Sequence, residues 1–95
     1  MKLQITARNM DLTEAIRSYA QKRLEKLERF SKHIISSELI LSEQRGQYNG
    51  ELIVKVKGKT LKASSTEKDP LTVIDKLKDK MSDAIKAYED RLKGQ

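Results

Sequence analysis

The apolar residues of this 95-residue chain are spaced at period two, then at helical intervals, then at period two again, then at helical intervals to the end. Side chains alternate faces on a strand and return to one face every three or four residues on a helix. Each switch of period therefore marks a change of element. Leu3, Ile5 and Ala7 predict a first strand over residues 2–7. Asp11-Leu12-Thr13-Glu14 opens a helix, with Thr13 or Asp11 as cap and Glu14 in the first turn. Ile16, Ala20, Leu24 and Leu27, with Tyr19 and Phe30 beside them, extend it to Ser31. From Ile34 the period is two again, with Ile35, Ser37, Leu39 and Leu41 on one side. Residues 45–50 read as a hairpin loop with Asn49-Gly50 as its turn. Leu52, Val54 and Val56 form the next strand, Lys57-Gly58 a tight turn, and Leu61 and Ala63 the inner side of a fourth strand. Asp69-Pro70 starts a second helix with Asp as cap and Pro in the first turn. Ile74, Leu77, Met81, Ile85, Tyr88 and Leu92 line one side of it, and Gly94 closes it.

The order βαβββα predicts an α+β fold, a two-layer sandwich of a four-stranded sheet with both helices packed on one face. The first two strands, joined through a helix, are parallel with a right-handed connection, and the last three form an antiparallel meander. A chain of this length buries one core, so residues 1–95 are expected to form a single domain. With one proline and no repeat there is no linker. The longest aliphatic runs, residues 39–41 and 52–54, cannot span a bilayer, and no signal-peptide core follows Met1-Lys2. The expected location is the cytoplasm.

Catalysis has few groups to work with. There is no cysteine, which excludes disulfides, thiolate metal sites and a cysteine nucleophile together. His33 is the only histidine and has no carboxylate partner nearby in sequence. The serines at 36–37 and 64–65 lie in strands without the spacing of a nucleophile elbow, and the four glycines form no phosphate loop. Asp75, Asp79 and Asp83 recur every four residues, but Lys76, Lys78, Lys80 and Lys86 lie among them and make a solvated ion-pair face the simpler reading. The chain is therefore expected to be no enzyme, with no cofactor, metal or small-molecule substrate.

Its charge is more informative. Twenty Lys and Arg against fourteen Asp and Glu give +6, which favours a polyanionic partner, nucleic acid before an anionic membrane. Projected at 100° per residue, Lys22, Lys26 and Arg29 line one flank of the first helix, while Glu14, Glu25 and Glu28 gather opposite. Arg23 falls almost on the apolar side, its stem packed and its head at the rim. On the second helix Lys76, Lys80 and Arg91 share a flank, with Asp75, Asp79, Asp83 and Asp90 across from them. Segregation by sign, together with Lys55, Lys57, Lys59 and Lys62, points to contacts with phosphates. Neighbouring helices could equally set one basic flank against the other's acidic one. Of the four aromatics only Tyr48 is left free to stack on a base, so any nucleic acid is held through phosphates and shape.

The opening run from Met1 to Tyr19, Lys26-Leu27-Glu28, Asp69, and Val73-Ile74-Asp75-Lys76-Leu77-Lys78-Asp79-Lys80 resemble the short ribosome hibernation promoting factors. These are grouped with the ribosome-associated inhibitor and sigma-54 modulation proteins. The resemblance covers essentially the whole chain and implies a factor that binds the small ribosomal subunit in the channel for messenger RNA and A- and P-site transfer RNA. It implies that translation is inhibited there and idle ribosomes preserved or dimerised, with a separate ribosome modulation factor as a further partner. Arg23, Lys26, Lys80 and Arg91 match basic positions of the family. Lys22, Arg29 and Lys76 come from the projection alone, and Lys86 partly replaces a basic run that Asp83, Ala87 and Glu89 interrupt. The chain stops three residues after Leu92, which implies the short type, monomeric off the ribosome. The alternatives are a double-stranded RNA-binding module, disfavoured by the acidic and apolar start of the second helix, and a protein-interaction regulator.

Overall fold

A computed structural model of the chain describes residues 2–94. The elements follow the predicted order: β1 (Leu3–Arg8), α1 (Glu14–Glu25), a 3-10 turn (Lys26–Phe30), β2 (Ile34–Gln44), β3 (Gln47–Val56), β4 (Lys59–Glu67) and α2 (Pro70–Lys93). The sheet runs β1-β2-β3-β4, with β1 parallel to β2 and the rest antiparallel. One core forms between the sheet and the two helices, with Ala20 and Leu24 from α1, Leu39, Leu41, Leu52 and Val54 from the sheet, and Ile74, Leu77, Met81 and Ile85 from α2. The fold is the α+β sandwich that the change of period predicts.

Both helix starts use their expected chemistry. The Thr13 hydroxyl accepts from the Ile16 amide at 3.2 Å, and the Asp69 carboxylate accepts from the Thr72 amide at 3.0 Å, with Pro70 in the first turn where no amide is needed. The first helix does not stay α-helical to Ser31. It tightens at Lys26, and the three-residue repeat of a 3-10 turn matches the spacing of Leu24, Leu27 and Phe30. Leu27 stays fully buried as a result.

Four local expectations are corrected. The β2–β3 turn is Arg45-Gly46, not Asn49-Gly50. Both turn residues have positive φ (53° and 78°), as the two-residue hairpin turn whose twist matches its strands requires. Gly50 lies instead within β3, facing α2. A β-carbon there would overlap Val73 Cγ1 and lie 2.9 Å from Leu77 Cδ1, so glycine is what lets the helix settle on the sheet. Tyr48 is likewise in β3, half-buried against the core, and is not a free stacking platform. Finally, Ile35 is 63% exposed: Ile34 pairs with Val56 and Ser36 with Lys55, so Ile35 is the extra residue of a β-bulge. Past the bulge the alternation resumes with Ser37, Leu39 and Leu41 inward. Leu92, placed on the core side of α2, is also 39% exposed.

Candidate nucleic-acid interface

Where α1 meets α2 is set by three side chains. Asp75 Oδ1 accepts from Tyr19 Oη at 2.7 Å and from Arg23 Nε at 2.8 Å. Tyr19 and Arg23 are one helical turn apart, so both reach the same point on the neighbouring helix. The Arg23 guanidinium carbon lies 5.5 Å from the centre of the Tyr19 ring. Partial burial opposes ionisation of Asp75, but the hydrogen bonds from Arg23 and Tyr19 and the charge of Arg23 outweigh it and hold the carboxyl below the usual carboxylate range. The same bond to Asp75 raises the Tyr19 hydroxyl above its ordinary value.

A second polar junction lies farther along α2. Glu89 Oε2 accepts from Ser31 Oγ at 2.6 Å and from His33 Nδ1 at 2.8 Å, and the His33 amide donates to Ser31 Oγ at 2.9 Å. A carboxylate only accepts, so Nδ1 carries the proton in this contact. The bond from Ser31, then that from His33, lowers the Glu89 carboxyl. The Ser31 hydroxyl and the His33 imidazole both address the carboxylate, so this is a clip between the chain after the 3-10 turn and α2 and not the hydroxyl–imidazole pairing that a nucleophile needs. Lys86 adds to it, its Nζ 4.8 Å from the centre of the Phe30 ring.

These contacts divide the eight predicted basic residues. Lys22, Lys26 and Arg29 are exposed on α1 and the 3-10 turn, where with Glu25 they line a shallow concavity. Arg23 is half-buried and engaged by Asp75, and Lys86 lies on the same side of α2, over Phe30. Lys76, Lys80 and Arg91 are turned away, roughly 100°, 140° and 160° around α2 from Asp75 at 100° per residue. There the Lys80 ammonium donates to the Ser64 carbonyl of β4 at 2.6 Å. Between the two groups runs an exposed acidic ridge, Asp79, Asp83 and Asp90. The basic side of α1 thus meets an acidic residue of α2 at Asp75, and the basic flank of α2 faces the β4 edge. Among the described residues no cluster of three or more His, Asp and Glu could hold a metal ion.

The residues that sequence reasoning missed are the acceptors. Asp75 reads as one member of an acidic series and Glu89 as an interruption of a basic run, yet each ties α2 to the element beside it. The one available signal was the Tyr19/Arg23 spacing, which places a hydroxyl and a guanidinium where a single carboxylate can meet both.

The family model described as sigma 54 modulation protein / S30EA ribosomal protein matches residues 3–93. The chain belongs to this family. Its members are non-enzymatic ribosome hibernation factors that act in translation regulation. Among its relatives, the ribosome hibernation promoting factor of Escherichia coli is 29% identical over 93 residues, 98% of each chain. The ribosome-associated factor Y of Haemophilus influenzae is 31% identical over 81 residues, covering 85% of this chain and 76% of that one. The crystal structure of the Thermus thermophilus Protein Y N-terminal domain superposes with a TM-score of 0.86 at 25% identity, over 93% of this chain and 99% of that one. A ribosomal subunit interface protein from Coxiella burnetii shares the fold, with a TM-score of 0.89 at 22% identity over 95% and 99% of the two chains. No helix of this S30EA family member, among the described residues, is long and apolar enough to cross a membrane.

Proposed function

We propose that this protein is a cytoplasmic ribosome hibernation factor that binds the small ribosomal subunit through ribosomal RNA phosphates, in the channel used by messenger RNA and A- and P-site transfer RNA, and silences translation there. The observation that carries the reading is the exposed group Lys22, Lys26 and Arg29, set on α1 and the 3-10 turn of a scaffold whose relatives bear the name ribosome hibernation promoting factor. Lys86, Lys76, Lys80 and Arg91 extend the contact on either side of the acidic ridge, which divides it into two tracts. Among the described residues the open face of the sheet presents no exposed aromatic to bases, so binding is by charge and shape, with steep dependence on salt and little sequence preference. Residues 1–95 act as one domain, monomeric off the ribosome, with a separate ribosome modulation factor as the partner that turns silenced ribosomes into dimers.

The test is co-sedimentation of the protein with purified small subunits across a salt series, with messenger RNA and initiator transfer RNA as competitors. Saturable binding displaced by both supports the channel. Replacing Lys22, Lys26 and Arg29 together by Glu removes three exposed cations and is expected to abolish pelleting while leaving the circular dichroism spectrum unchanged. Wild-type binding by that folded variant, or equal affinity for naked duplex RNA, refutes the reading.

A further inference from the structure

Among the predicted phosphate ligands, Arg23 is the one whose head group is engaged by a carboxylate. A guanidinium presents five N–H donors in a fixed fork, and the contact with Asp75 uses only Nε. The bond to Asp75 at 2.8 Å runs through Nε, which leaves Nη1 and Nη2 outside that contact, and 37% of the side chain remains exposed. Tyr19 completes the arrangement: its hydroxyl fixes the same carboxylate oxygen, and its ring lies close to the guanidinium. The carboxylate is therefore pinned by two donors from α1, and the fork is held by one edge on a rigid helix pair.

We infer that Asp75, supported by Tyr19, is a positioning residue, which turns the Arg23 guanidinium so that Nη1 and Nη2 stand ready to grip one ribosomal RNA phosphate bidentately. This rests on the phosphate-binding reading above. A lysine at 23 does not do the same, because a single ammonium cannot both satisfy Asp75 and present a two-pronged edge. The alternative is that Asp75 competes with phosphate and holds Arg23 back. The two roles predict opposite signs, because Asp75→Ala raises the net charge by one. Competition, or long-range electrostatics alone, makes that variant bind RNA more tightly, whereas loss of positioning makes it bind less well.

The experiment is a salt series of small-subunit binding by full-length wild type, Asp75→Ala, Asp75→Asn, Arg23→Lys and the Asp75→Ala/Arg23→Lys pair, with Lys26→Glu/Arg29→Glu as reference. Asp75→Ala is expected to weaken binding on the order of tenfold, the worth of one charge-assisted hydrogen bond, and to flatten the log–log salt slope by about one. Asp75→Asn keeps an amide oxygen that accepts from Nε and the tyrosine, so it restores binding to within about twofold of wild type. Arg23→Lys, which leaves a cation on the helix and does not depend on Asp75→Ala folding, weakens binding to a similar extent. Because both changes remove the same grip, the double variant is no weaker than either single one. Unchanged or tighter binding by Asp75→Ala at an unchanged slope overturns the positioning role even where the Lys26→Glu/Arg29→Glu reference binds poorly. If the reference binds normally while Asp75→Ala fails, Asp75 keeps its role and the site moves off the 3-10 turn. No binding by wild type overturns both readings.

Discussion

Helix α2 is held along two seams of opposite character. Toward the sheet it packs through close apolar contact: Val73, Ile74, Leu77, Met81 and Ile85 are fully buried, and Gly50 gives up its side chain to let them approach. Toward α1 and the 3-10 turn it is held by directional contacts, Asp75 with Tyr19 and Arg23, Glu89 with Ser31 and His33, and Lys86 over Phe30. Dispersion and apolar burial need no particular charge, so the apolar contacts of the sheet seam do not respond to pH, although the Lys80 ammonium also reaches the Ser64 carbonyl on that side. The helix–helix seam depends on protonation and competes with solvent ions. Most of the stability is therefore expected from one side of α2 and most of the response to conditions from the other.

The largest effect falls on the sheet seam. Leu77→Ala is expected to cost about 2–5 kcal/mol, read from urea denaturation, because it empties a fully buried position. A loss below the lower bound would mean that α2 collapses onto the sheet and is less rigidly packed than described. Gly50→Ala comes next: the added methyl meets Val73 and Leu77 and is expected to cost about 1–3 kcal/mol through overpacking, with a smaller unfolding midpoint in the same assay. A neutral result would show that α2 shifts freely along β3.

The polar seam is expected to be quiet at neutral pH and to speak in acid. Asp75 and Glu89 are both held below the ordinary carboxylate range in the folded chain, so each adds stability that is complete above its unfolded pKa and is lost as pH falls through the lowered one. Wild-type stability should therefore drop below about pH 4, whereas Asp75→Asn/Glu89→Gln should show a shallower acid limb in thermal melts. Equal limbs would mean that the two junctions contribute no pH dependence. The smallest effect is expected outside both seams. Ile35→Thr changes a bulged, solvent-facing side chain and is expected to stay within about 0.5 kcal/mol of wild type. A larger loss would place Ile35 back among the core residues.

Much of the fold was legible because it depends on local chemistry. Thr13 and Asp69-Pro70 begin helices for reasons contained in a few residues, and the apolar periods name the inward faces. What escaped depends on partners far away in sequence. Asn49-Gly50 has the composition of a turn, but Gly50 is there for Val73 and Leu77, more than twenty positions on. The bulge at Ile35 was invisible because alternation alone places Ile35 in phase with Ser37, and only the pairing of Ile34 with Val56 reveals the extra residue. The basic residues of the candidate interface were found on charge and projection. Their division was not, since which flank of α1 faces which flank of α2 follows from how the two helices lie side by side across the sheet.

The pairing of β1 has a consequence for how the chain comes together during synthesis. Its inner side, Leu3, Ile5 and Ala7, leaves the ribosome first, yet its pairing with β2 begins at Ser37, beyond α1 and the 3-10 turn. The β2–β3 and β3–β4 hairpins each close on neighbours a few residues away, and β1 must wait for a long loop to fold back. The β1 edge of the sheet therefore closes across a longer loop than either hairpin, and its pairing is expected to form more slowly than theirs.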